Sequence, residues 1–168
     1  MQMDFSWHGL TLPGSGRDYF GIDPLPRFNP GLTDFDPVNA FWLSEMCRLI
    51  YRRNPDEDPG QLGALTRQDA LAKVACKEIL FIHRRETQCA LIQSNSASAP
   101  FSALVFRGTT GFRNWLLDLD VRPEKWNAHA TVHRGFREAL EQIWNVLQPA
   151  LENLAAPCFF AGHSMGGA

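Results

Sequence analysis

The sequence has no long apolar run. Its best stretches, Ile79 to Ile82 and Cys158 to Ala161, are strand-sized, whereas a membrane-spanning helix needs roughly 18 consecutive apolar residues, so no transmembrane segment is expected. It has no excess of positive charge either. Sixteen Lys and Arg stand against 18 Asp and Glu for a formal net charge of −2, which gives phosphate-backbone binding no electrostatic footprint and argues against a nucleic-acid partner. The four cysteines, Cys47, Cys76, Cys89 and Cys158, form no Cys-x-x-Cys pair and no Cys/His spacing of the zinc type. Free buried thiols in a reducing compartment are the expectation, with two disulfides in a secreted enzyme left open. Met1 to His8 carries no positive n-region or apolar h-region, so no signal peptide is visible and a cytoplasmic location is favoured over secretion.

What is present is ordinary globular composition: 168 residues, 45% of them apolar and 20% charged, enough for one domain or part of one with a sizeable core. Residues 1–36, rich in Gly, Pro and Asp, read as an irregular arm; residues 37–168 read as one domain. Trp42, Met46, Leu49 and Ile50 fall at helical spacing after Pro37, with Asn54-Pro55 as the stop. Thr66 is placed to cap a short helix reaching about Ala75, with Asp69 in its first turn. Strand-like runs follow at Ile79 to His83, Gln88 to Gln93 and Phe101 to Arg107. Phe136, Leu140, Ile143, Leu147, Leu151 and Leu154 make one continuous helical face, which Pro149 is expected to kink or divide. Pro157 then introduces the short strand Cys158 to Ala161. Strand, crossover helix and strand make a βαβ unit, so the fold class is α/β with a mixed, mostly parallel sheet and flanking helices.

Directly after the last strand stands Gly162-His163-Ser164-Met165-Gly166-Gly167-Ala168. Gly-x-Ser-x-Gly after a strand is the pattern of a nucleophile elbow, in which a serine occupies a strained strand-to-helix turn and small neighbours let strand and helix approach. A second piece, Phe106-Arg107-Gly108-Thr109-Thr110, ends an earlier strand in Gly and hydroxyl residues. An acyl-transfer site needs two N–H donors for its oxyanion, and Met165 and Thr109 are the candidates. Phe112, Trp115 and Leu116 stand at i, i+3 and i+4, so one helical turn would gather three large apolar groups on one face, as core packing or as a flap.

Taken together, Val105 to Thr109, Arg113 to Leu119, Val132 to Phe136 and Gly162 to Ala168 resemble the class 3, fungal-type triacylglycerol lipase family, in the same order and with similar separations. The resemblance implies an α/β-hydrolase fold and hydrolysis of acylglycerols or related esters by a Ser-Asp-His triad, with no metal or organic cofactor. It makes Ser164 the nucleophile, Thr109 and Met165 the oxyanion hole, and Asp118 the acidic residue that fixes the Thr109 hydroxyl. It makes Phe112, Trp115 and Leu116 part of a lid that opens at a lipid surface, so the expected partner is a lipid or small-molecule ester.

The family's order is Ser, then Asp, then His, whereas every Asp and His here precedes Ser164. His163 matches a packing position of the elbow, His133 matches a structural one, and His8, His83 and His129 have no motif around them. The chain therefore reads as the N-terminal part of a lipase. A non-catalytic lipase-like protein that binds lipid or a partner is the alternative, and an acyltransferase or carbon–carbon hydrolase on the same fold is a third.

Overall fold

The computed structural model describes residues 18–54, 65–108, 122–127, 129–154 and 157–168. Helix α1, Pro37–Leu49, starts where Asp36 accepts the Asn39 N–H at 2.8 Å and Pro37 takes the first turn. Helix α2, Arg67–Lys73, opens with a reciprocal cap, the Thr66 hydroxyl accepting from the Asp69 N–H at 3.0 Å and the Asp69 carboxylate from the Thr66 N–H at 3.2 Å. Strands β1, Cys76–Arg84, β2, Thr87–Ser94, and β3, Ser102–Phe106, follow. A small pair, β4, Pro123–Lys125, with β5, Thr131–His133, stands apart from that sheet. Helix α3, Arg134–Glu152, crosses over to β6, Cys158–Gly162, and a 3-10 turn covers Ser164–Gly167.

The main sheet runs β1-β2-β3-β6. It is mixed, as the βαβ pattern requires, but its parallel share is smaller than expected. β1 with β2 and β2 with β3 are antiparallel, and only β3 with β6 is parallel. The reason is connection length: short links join β1, β2 and β3 and return the chain alongside itself, and only the α3 crossover allows the next strand to run parallel. Pro149 does not divide α3, which continues to Glu152. It lies exposed in the last turn, where its missing N–H costs a single bond to the Asn145 carbonyl on the solvent side. Helix α1 ends at Leu49, short of Asn54, and β1 begins earlier than Ile79.

Period-two alternation puts a core on each face of the sheet. Ala90, Ile92, Ala103 and Val105 point to one side, where they meet Trp42, Met46, Leu49 and Ile50 of α1 and Leu71 of α2. Cys89, Leu91 and Leu104 point to the other side and meet Ile143 and Leu147 of α3. The described part of the arm, irregular as read, is held against α1. Glu45 accepts from the Phe20 N–H at 2.7 Å, Trp42 donates to the Pro26 carbonyl at 2.8 Å, and Asn39 exchanges two bonds with the Asn29 backbone. Phe28 then stacks on Phe101 at 4.1 Å and meets Phe159 edge-on at 4.9 Å. All four cysteines are free. Among the described residues no helix is long and apolar enough to cross a membrane.

Candidate active site

The parallel pairing of β3 and β6 sets Phe106 beside Gly162. The two strands therefore end together, and whatever follows each comes side by side. The His163 N–H donates to the Phe106 carbonyl at 3.3 Å, and the Gly166 N–H to the His163 carbonyl at 2.9 Å. Between them Ser164 has φ of 54°. For a residue with a Cβ this left-handed backbone costs about 1–3 kcal/mol and persists only where its surroundings impose it. Here they do. A Cβ on Gly162 would stand 1.9 Å from the Gly166 carbonyl oxygen, and one on Gly166 would stand 2.4 Å from the Phe106 carbonyl oxygen, so both positions require the missing side chain. The Ser164 residue itself is exposed.

Gly108, two residues beyond β3, closes against this turn. It is buried, and a Cβ on it would meet the His163 carbonyl oxygen at 2.5 Å, the Tyr51 hydroxyl at 2.9 Å and the Ser164 Cβ at 3.1 Å. The Tyr51 hydroxyl lies 2.8 Å from His163 Nδ1, and the Arg107 guanidinium sits over the Tyr51 ring at 4.8 Å. Burial pushes the Tyr51 phenol above its ordinary range, against the opposing pull of Arg107 and the Gly108 N–H. Burial pulls the Arg107 guanidinium below its ordinary range, and Arg107 also hydrogen-bonds the Gln88 side chain.

Of the residues singled out from sequence, Ser164 and Met165 stand together on the turn, with Gly108 beside them. Thr109, Phe112, Trp115, Leu116 and Asp118 lie outside the described residues, as does His8. His133 flanks the start of α3 with its Nδ1 buried and without a hydrogen-bond partner among the described residues, and its ring is 5.0 Å from that of Phe136. His83 and His129 are exposed. Among the described residues the Ser164 hydroxyl has no hydrogen-bond partner. No cluster of three or more metal-ligating side chains occurs among the described residues. Tyr51 is the one member of the site that sequence reasoning missed. Its place one turn beyond Cys47, just past the end of α1, was a weak signal, because its partner is 112 positions away.

Residues 103–168 match the class 3 lipase family. The match begins inside β3 and runs through the turn, so the matched segment contains both strand ends that build the site. Among solved structures, lipase II from Rhizopus niveus is similar with a TM-score of 0.53 and 23% identity, over 67% of this chain and 44% of that one. The Rhizomucor miehei lipase in its propeptide complex gives a TM-score of 0.48 and 21% identity, over 67% of this chain and 37% of that one. A triacylglycerol lipase from Penicillium expansum gives 0.44 and 15%, over 55% and 40%. No curated protein matches the chain. The likeness to the Rhizopus niveus lipase gives the chain an α/β-hydrolase fold, and the chain spans less than half the length of these structural relatives.

Proposed function

We propose that the protein carrying this chain is a serine ester hydrolase, a lipase or esterase acting on acylglycerols or related carboxylic esters through an acyl-enzyme. The observation that carries the reading is Ser164: an exposed serine held at φ of 54° where β6 enters the 3-10 turn, inside the segment that matches class 3 lipases. The Ser164 Oγ attacks the ester carbonyl carbon and gives its proton to a base. The carbonyl oxygen becomes an oxyanion held by the N–H groups of Thr109 and Met165, and Asp118 holds the Thr109 hydroxyl toward it. Collapse expels the alcohol, which takes the proton, and water then splits the acyl-serine. The histidine base and its carboxylate belong to the part of the lipase fold that the chain does not span, a reading supported by its coverage of 44% of the Rhizopus niveus lipase. Phe112, Trp115 and Leu116 form an apolar lid over the acyl site that contacts a lipid surface transiently.

A second reading, a non-catalytic lipase-like protein that binds lipid or a partner, is favoured by the Ser164 hydroxyl having no hydrogen-bond partner among the described residues. One experiment separates them. In the full-length protein, Ser164→Ala should lower turnover of a short-chain nitrophenyl ester on the order of a million-fold, as loss of a triad nucleophile does, with folding unchanged. Undiminished turnover in that variant removes Ser164 from the chemistry, and lipid binding without turnover in the wild type supports the second reading.

A further inference from the structure

Three distant parts of the chain meet at one phenol. Tyr51, just past the end of α1, places its hydroxyl 2.8 Å from Nδ1 of His163, the residue before Ser164. The two rings cross edge-on at 5.6 Å, and Arg107 lies over the Tyr51 ring. Gly108 packs against the phenol oxygen, so that a Cβ on it would stand 2.9 Å away. A phenol has one proton to give and lone pairs to receive. The 2.8 Å separation makes a hydrogen bond between the phenol and the ring nitrogen, whichever of the two carries the proton. The hydroxyl is thus bonded to the elbow that leaves β6 and packed against Gly108, where the chain leaves β3. No other atom of the ring could make this link.

The distance this link sets matters for chemistry. Thr109 follows Gly108 by one peptide bond, and Met165 follows Ser164 likewise. Donors must stand about 2.7–3.1 Å from the oxyanion to stabilise it, and a displacement of about 1 Å costs on the order of a hundredfold. A Cβ on Gly108 would stand 2.5 Å from the His163 carbonyl oxygen and 3.1 Å from the Ser164 Cβ, so the chain leaving β3 packs directly on the elbow and a shift of His163 is felt at Gly108. We infer that Tyr51 is a positioning residue whose hydroxyl, hydrogen-bonded to His163 Nδ1 and packed against Gly108, fixes the nucleophile turn against the chain leaving β3. The inference rests on the reading of Ser164 as the nucleophile.

The test measures nitrophenyl butyrate turnover and thermal unfolding of the full-length protein and four variants: Ser164→Ala, Tyr51→Phe, His163→Phe and the double Tyr51→Phe/His163→Phe. Tyr51→Phe keeps the ring under Arg107 and removes only the hydroxyl. The expected result is a kcat about tenfold lower, milder than the ~10²–10³ for deleting a donor outright, with KM within about twofold and the melting temperature unchanged. The double variant should lose no more than the worse single, because both break one link. Wild-type kcat in Tyr51→Phe alongside an inactive Ser164→Ala overturns this inference alone. So does a kcat loss that follows a fall in melting temperature, or losses that multiply in the double variant. Turnover that survives Ser164→Ala overturns the nucleophile reading beneath it.

Discussion

Gly162 and Gly166 touch across the elbow so closely that a Cβ on Gly162 would stand 1.9 Å from the Gly166 carbonyl oxygen. The obstacle is backbone, which cannot rotate aside as a side chain can. The end of β6 and the 3-10 turn can fold together only while position 162 is bare.

Gly162→Ala should therefore separate strand and turn and displace Ser164. We expect turnover of a nitrophenyl ester to fall at least about a hundredfold, the scale of a misplacement near 1 Å. Circular dichroism should show the α3 and α1 helices retained, since neither touches this contact. Wild-type turnover in this variant would show that the turn has room the distances deny.

Thr109→Val preserves shape and the backbone N–H and removes only a hydroxyl. If that hydroxyl faces the oxyanion, kcat should fall about a hundredfold, roughly 3 kcal/mol in the transition state, with KM barely changed. A normal kcat would take the hydroxyl, and with it the supporting role proposed for Asp118, out of the mechanism.

Arg67 and Glu78 form a buried pair, 2% and 7% exposed, with Arg67 Nε 2.7 Å from Glu78 Oε2 and a second bond at 3.0 Å. Arg67 also donates to the Arg52 carbonyl at 2.6 Å and lies over the Phe81 ring at 3.9 Å. Glu78→Gln leaves a guanidinium in the interior without its counter-charge, which costs about 3–5 kcal/mol. Replacing both, Glu78→Gln with Arg67→Met, should recover much of that loss. Urea unfolding of both variants measures the difference, and equal stability of Glu78→Gln and wild type would refute the assignment.

Burial pushes Cys47 to about 11 and Cys76 and Cys89 to about 12. In the unfolded chain thiols ionise near about 8.5. Above that pH the unfolded state sheds protons that the folded state keeps, so stability is complete below it and declines as the pH rises towards 11 and 12. Native thiols should also resist iodoacetamide at pH 8, because the thiolate is the reacting form, and should react fully in denaturant. Rapid alkylation of Cys76 or Cys89 in the native protein would contradict their burial.

Much of the fold was legible because its signals are local. The Thr66 to Asp69 cap spans three residues, the α3 face repeats every three or four, and the strand, Gly162, Ser164 and Gly166 lie within nine positions. The parallel share of the sheet was overestimated, because a βαβ unit specifies its own two strands and says nothing of the hairpins packed beside them. The arm was read without chemistry, and no periodicity could show that Phe28 would stack on Phe101, 73 positions away, at 4.1 Å.

The sequence by itself determined the elements, their caps and the serine turn, since dihedral preference and side-chain period act over a few residues and need no partner. Tertiary structure alone decided which strand ends meet. Only the β3 to β6 register, Phe106 against Gly162, brings Gly108 to Ser164 and lets Tyr51 reach His163 across 112 positions. That register is set by burying Ala103 and Val105 on one face and Leu104 on the other, and a slip of one residue would turn each of those side chains to the wrong core.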